Sequence, residues 1–116
     1  MAGRDDELGR RVVLLVLGVL REAPLHGYAI ARRIERASDE VFSLGEGVLY
    51  PLLHQMEQAG LVCGNWEAAD GRRRKVYGLT DAGRRRFVQE QRLWEREAAA
   101  VRRVLAMREG VALAMG

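Results

Sequence analysis

The chain of 116 residues has one cysteine, Cys63, which excludes an internal disulfide and a cysteine-only metal cluster. Lysine is equally scarce, since of 19 basic residues only Lys75 is not arginine. Two prolines, Pro24 and Pro51, punctuate the sequence, and it has neither an internal repeat nor a low-complexity linker. The longest apolar run, Val12 to Leu20, falls far short of the roughly 18 residues that span a bilayer. No small-residue cleavage site follows it, so no secretory signal is expected and the chain reads as cytoplasmic. Ser38 and Ser43 are the only serines, neither with a histidine partner nearby in sequence. There is no nucleophile elbow, phosphate-cradling glycine loop or HExxH. Neither catalysis nor a cofactor is expected.

What is present is the balance of one folded domain: 48% hydrophobic and 30% charged residues. The net charge of +3 is compatible with a nucleic-acid partner without requiring one. Its distribution says more, because Arg72, Arg73, Arg74 and Lys75 are contiguous and Arg84 to Arg86 follow closely.

The pattern predicts a first helix over Leu8 to Glu22, apolar nearly all round and so buried on more than one side, a partner subunit supplying the second. Ala23-Pro24 ends it. A second helix, Gly27 to Ala37, is expected to turn Tyr28, Ile30, Ala31 and Ile34 inward and Arg32, Arg33 and Arg36 outward. A third ends at Gly60 and places Leu49, Leu52, Leu53 and Met56 on its core face. Its other face carries Gly47, Tyr50, Pro51, His54, Gln55 and Gln58. A capping box at Ser43 and Glu46 would strand Pro51 in mid-helix, so a start near Glu46 with Pro51 close to the first turn is favoured. Leu61 to Trp66 and Val76 to Leu79 read as strands around the turn dipeptide Asp70-Gly71, joined by a loose hairpin with a basic tip. Thr80-Asp81 caps a long helix from about Asp81 to Glu109. Along it Phe87, Gln91, Trp94, Ala98, Val101 and Leu105 form a heptad seam. Residues 110–116 read as a frayed tail. The fold class is thus mainly α with a small β-hairpin. It comprises a winged helix-turn-helix over residues 8–80 and a C-terminal dimerisation helix over 81–109.

Four segments, taken in order, resemble the PadR-like transcriptional regulators of the short class with a single C-terminal helix. They are Leu25-His26-Gly27-Tyr28, Leu49-Tyr50-Pro51-Leu52-Leu53-His54, Asp70-Gly71-Arg72-Arg73-Arg74-Lys75-Val76-Tyr77 and Leu79-Thr80-Asp81-Ala82-Gly83. The resemblance runs from about residue 8 to 86. It implies a dimeric winged-helix regulator, usually a repressor, whose last helix supplies most of the dimer interface. It also implies that Tyr50 and its surroundings face DNA while the wing touches the backbone or minor groove. The chain departs from the family pattern at Val48, where serine or threonine is frequent, and at Gln55, where a basic residue is frequent. Both departures remove a phosphate contact.

Chemistry supports the same placement. A third helix can enter the major groove, Tyr50 can donate to a phosphate, and His54 and Gln55 can reach base edges. Expected DNA-facing residues are therefore Gly47, Tyr50, His54, Gln55, Arg72, Arg73, Arg74 and Lys75, although a charge run can also be no more than a solvated face. Expected dimer-interface residues are Val13, Leu17, Phe87, Gln91, Trp94, Ala98, Val101 and Leu105. Trp94, at the seam's centre, is expected to meet its partner across the two-fold axis as an interface anchor; the family resemblance implies the alternative that it walls a site for a small aromatic effector. Gly27 and Tyr28 read as packing residues and His26 as a helix-entry residue. One rival keeps the winged helix as a protein-protein interaction module without DNA binding. A metal-responsive regulator would join His26, His54, Cys63 and Glu57, but no recognisable ligand spacing links them.

Overall fold

Helix punctuation in the sequence decides where the elements stop. The computed structural model describes residues 2–107, with side-chain surroundings from residue 9 onward. Its elements are α1 (Ala2–Leu20), β1 (Leu25–His26), α2 (Gly27–Ala37), α3 (Glu46–Gln58), β2 (Val62–Ala69), β3 (Arg72–Leu79) and α4 (Asp81–Leu105). His26 caps α2, its Nδ1 accepting the Ala29 N–H at 3.4 Å. Gly60, at φ 77°, lets the chain turn back on α3. The Gly60 N–H then reaches the Glu57 carbonyl at 3.0 Å and the Leu61 N–H that of Met56 at 2.9 Å, closing a Schellman motif. Thr80 Oγ1 accepts the Gly83 N–H at 3.0 Å and donates to the Gly60 carbonyl at 2.6 Å, fixing the start of α4 on the end of α3.

Several boundaries differ from expectation. The first helix begins at Ala2 rather than Leu8 and stops at Leu20, ahead of Pro24. The last stops at Leu105; Glu109 and the expected tail at 110–116 lie outside the described residues. Helix α3 does start at Glu46, yet Pro51 sits in its second turn. Its missing N–H leaves the Gly47 carbonyl unbonded within the helix, a small cost because Gly47 is exposed. No capping box forms, and the Ser43 hydroxyl donates to Glu35 instead.

The hairpin is tight, not loose. Asp70 and Gly71 both take positive φ, 52° and 73°, the signature of a two-residue type I′ turn. Strands of eight residues pair from Val62↔Leu79 to Ala69↔Arg72. The charged residues that suggested a loop are solvent-exposed strand positions, whose side chains need no burial for the backbone ladder to form. A third strand, β1, went unanticipated because it has only two residues; it pairs antiparallel with β3, giving the order β1-β3-β2.

Helix α1 is the centre of the molecule, contacting α2, α4 and β3. Val16, Leu17, Ile30, Leu49 and Leu53 are fully buried, each contributing about 1.5–3 kcal/mol of hydrophobic stabilisation. Leu17, expected at a subunit interface, is instead 0% exposed within its own chain. Burial of α1 on several sides is met by α2, α4 and the sheet. Tyr28 is the opposite correction: expected inward, it is 62% exposed.

Candidate nucleic-acid interface

Helix α3 packs through Leu49, Leu53 and Met56 and turns Gly47, Tyr50, His54 and Gln55 to solvent. The Tyr50 ring lies against the backbone at Gly27, where a Cβ would stand only 2.7–2.9 Å from its Cε1, Oη and Cζ atoms. Glycine at 27 thus permits the close approach that sets Tyr50 across the α2–α3 junction. Between α2, α3 and the hairpin lies a cleft of about 580 Å³. It is lined by all three tyrosines, both histidines and Trp66, together with Arg73, Arg74 and Lys75. Concentrating the chain's few aromatics beside cations makes a surface suited to sugar and phosphate.

Strand alternation divides the basic run. Trp66 pairs with Lys75 and Ala68 with Arg73, so Trp66, Arg73 and Lys75 share one face. The Arg73 guanidinium lies 5.1 Å from the Trp66 ring centroid, stiffening an otherwise free side chain. Arg72 and Arg74 take the other face, where Arg74 Nη1 lies 3.2 Å from His26 Nε2. Lys75 is not the free cation expected. Its Nζ bonds Glu57 Oε1 at 2.8 Å, while Glu57 Oε2 accepts the Gly64 N–H at 3.3 Å. The hydrogen bond from Lys75, ahead of the opposing effect of desolvation, holds the Glu57 carboxyl below its ordinary pKa; the same bond raises the Lys75 ammonium. Burial pushes the Tyr77 phenol up.

The expected interface residues fall into two groups. Leu17 and Phe87 belong to the chain's own core, with Arg21 over the Phe87 ring at 4.7 Å. Val13, Gln91 and Ala98 are half-buried, and Trp94, Val101 and Leu105 are exposed. Trp94 borders a hollow of about 240 Å³ between α1 and α4. There Arg11 lies 5.6 Å from its ring centroid and Arg10 bridges Glu90 and Glu97, each at 3.7 Å.

The cleft gathers Tyr50, His54, Arg73, Arg74 and Lys75 as one surface. It does not gather Gln55, which borders a separate hollow with Arg10, Val13, Arg86 and Glu90. Arg72 is exposed at the hairpin end, and Gly47 stands in open space near the start of α3. Trp66 and Tyr28, which line the cleft, were not expected there, nor was the engagement of Lys75 by Glu57. The first had a usable signal: an Asp-Gly type I′ turn fixes a register that sets Trp66 opposite Lys75. Among the described residues no group of three or more His, Cys, Asp or Glu could hold a metal ion. His26 caps α2, and Glu57 is engaged by Lys75. Nor is any described helix long and apolar enough to cross a membrane.

Comparison with known proteins agrees with this geometry. The family model described as the transcriptional regulator PadR-like family matches residues 16–89. A transcriptional regulator of Mycobacterium tuberculosis is 32% identical over 90 residues, covering 78% of this chain and 81% of that one. Among solved structures, a PadR family transcriptional regulator from Eggerthella lenta superposes with a TM-score of 0.73 at 30% identity, over 92% of this chain and 93% of the other. Bacillus subtilis PadR in complex with operator DNA gives a TM-score of 0.64 at 25% identity, over 69% of this chain and 45% of that one.

Proposed function

The chain belongs to the PadR-like family of transcriptional regulators, and from that premise we propose that it is a homodimeric repressor of a near-palindromic operator. Helix α3 of each protomer enters successive major grooves, with half-sites about 34–36 Å apart. Tyr50 and His54 face the groove, and Arg72, Arg73 and Arg74 of the hairpin clamp the flanking backbone. Repression follows from excluding polymerase in the cytoplasm. The observation that carries this reading is the cleft between α3 and the hairpin, where aromatic rings and arginines converge on one exposed surface. That a PadR protein of B. subtilis is solved on its operator supports it. No enzymatic role is proposed.

The dimer forms through α4, whose exposed seam residues Trp94, Val101 and Leu105 need a second copy to cover them. Release uses a planar aromatic effector seated against Trp94 at that interface, favouring a dimer whose α3 helices no longer match the groove spacing.

Fluorescence anisotropy of the purified protein on its own upstream DNA, against a scrambled duplex at two salt concentrations, tests the reading. Tighter binding to the native duplex, at two subunits per duplex and weakening with salt, is expected. Equal weak binding to both, together with an empty genome-wide DNA selection, would replace it with a protein-partner role for the winged helix.

A further inference from the structure

The arginines of α2, which the sequence marks only as outward-facing, converge with the hairpin on a second basic surface. Arg32, Arg33 and Arg36 from α2 and Arg74 from β3 line one hollow of about 540 Å³ with His26 and Tyr28. No carboxylate lines it. Some cations elsewhere are matched, as with Arg10 and Glu90, Arg86 and Glu90, or Lys75 and Glu57. In the hollow only Arg33 has an acidic partner among the described residues, Glu22 at 3.6 Å. The three like charges left without an acidic partner on one concave surface repel unless an anion joins them.

His26 sharpens the deficit. A neutral imidazole has one acceptor nitrogen, yet the Ala29 N–H and Arg74 Nη1 address its two nitrogens, at 3.4 and 3.2 Å. With Nδ1 accepting from Ala29, Nε2 carries the proton, and Arg74 Nη1 is left for an acceptor from outside.

Position selects the anion. His26, Tyr28 and Arg74 line both this hollow and the cleft beside α3, so a strand of backbone leaving the cleft runs on into the hollow. The hollow lies on the hairpin side of α3, whereas Gln55 marks the side that borders α1 and α4. With pairing through α4, it therefore faces away from the two-fold axis. We propose that Arg32, Arg36 and Arg74, with His26, bind a DNA backbone phosphate outside the half-site read by α3, extending the operator footprint on each flank. This rests on the operator-binding reading above.

The test compares two duplexes cut from the footprinted upstream DNA, one ending at the base pairs α3 reaches and one about five base pairs longer at each end. The added flanks are scrambled, because phosphate contacts carry no sequence. One extra phosphate per protomer steepens the salt slope by about 1.8, so the longer duplex loses roughly tenfold more affinity between about 50 and 200 mM salt. In the Arg32→Gln/Arg36→Gln protein, both sites being exposed, that excess disappears while preference for the native core over a scrambled core remains. Arg32→Lys/Arg36→Lys, which keeps the charges, retains the excess. Equal slopes on both duplexes for the unaltered protein overturn the site and leave the operator reading standing, as does an excess that survives the glutamine pair. No preference for the native core in the unaltered protein overturns the operator reading, and the flanking site falls with it.

Discussion

Glu57 Oε1 accepts from Lys75 Nζ at 2.8 Å, and its Oε2 takes the Gly64 N–H, so one carboxylate near the end of α3 holds both strands of the hairpin. At Gly64 a Cβ would collide with the Lys75 Cε atom, so the lysine stem reaches Glu57 only across a glycine. Lys75 thereby acts as a pin between helix and wing. Replacing Glu57→Gln separates that role from phosphate binding by sign. A lysine freed for DNA would bind more tightly and with a steeper salt slope. A lost pin predicts weaker binding, by up to about fivefold on the scale of partly exposed ion pairs, with the slope unchanged. Anisotropy titrations at three salt concentrations decide it.

The same pair predicts a pH window for stability. Glu57 titrates below its ordinary value when folded, so its contribution is present above that value and fades as pH falls through the depressed one. Lys75 titrates above its ordinary value, so its contribution is present below that value and fades as pH rises through the raised one. Urea unfolding of the unaltered protein and of Glu57→Gln should differ equally at about pH 6 and 8, and the gap should narrow progressively as pH falls below the ordinary carboxylate range. A gap that stays constant as pH falls through the acid range would assign the loss to shape instead of charge.

Gly27 and Tyr50 predict a variant that damages binding more than folding. A methyl group at Gly27 meets the far end of the Tyr50 ring at 2.7–2.9 Å, and that ring can swing away because it is 42% exposed. Gly27→Ala should leave the melting temperature within a few degrees of the original while weakening operator binding about tenfold, the loss of one good contact. Tyr50→Phe should show whether the hydroxyl or the ring carries that contact. If Gly27→Ala binds DNA normally, Tyr50's position against α2 is irrelevant to recognition.

Helix order, the α3 core face and the Thr80 cap were legible in the sequence because each has a local signature in period or capping chemistry. Family motifs at Leu25–Tyr28 and Leu49–His54 located the same elements. What escaped were consequences of pairing. The split of Arg72–Lys75 between two strand faces follows only from the register set by Asp70-Gly71, and the Glu57–Lys75 bond spans 18 positions. Tyr28 was misread because helical periodicity counts it as apolar, whereas Tyr50 already occupies the space above Gly27. Leu17 was assigned to a partner because its neighbours are apolar all round, whereas it is buried within its own chain.

The junction of α3, β2 and α4 predicts a graded pair of stability losses. Thr80→Ala removes the bond to the Gly83 N–H and the one to the Gly60 carbonyl, costing about 1–2 kcal/mol. Gly83→Ala should cost more, about 3 kcal/mol or above. Its Cβ would overlap the Leu61 carbonyl oxygen, a backbone atom that cannot rotate away, and crowd Leu79 Cδ2 at 3.0 Å. Urea titrations that reverse this order would mean that α4 can shift bodily off Leu61.

Helix α4 carries the apolar stripe on which the proposed dimer rests. Phe87, at the start of its seam, is 7% exposed, whereas Trp94 is 44% and Leu105 78% exposed. Burial thus fails progressively as the helix leaves α1, although the apolar spacing continues. An apolar stripe of this length is costly in water, and the proposed interface would cover it. Val101→Asp with Leu105→Asp should therefore yield monomers in sedimentation velocity with helical content retained, since neither side chain is buried in the core. Each substitution should cost on the order of 2 kcal/mol of association, as for apolar anchors at other interfaces. DNA affinity should fall along with dimerisation, because two half-sites bound by unlinked protomers lose the effective concentration that the second enjoys. Retention of the dimer with both aspartates in place would move the interface off α4, and with it the proposed effector site at Trp94.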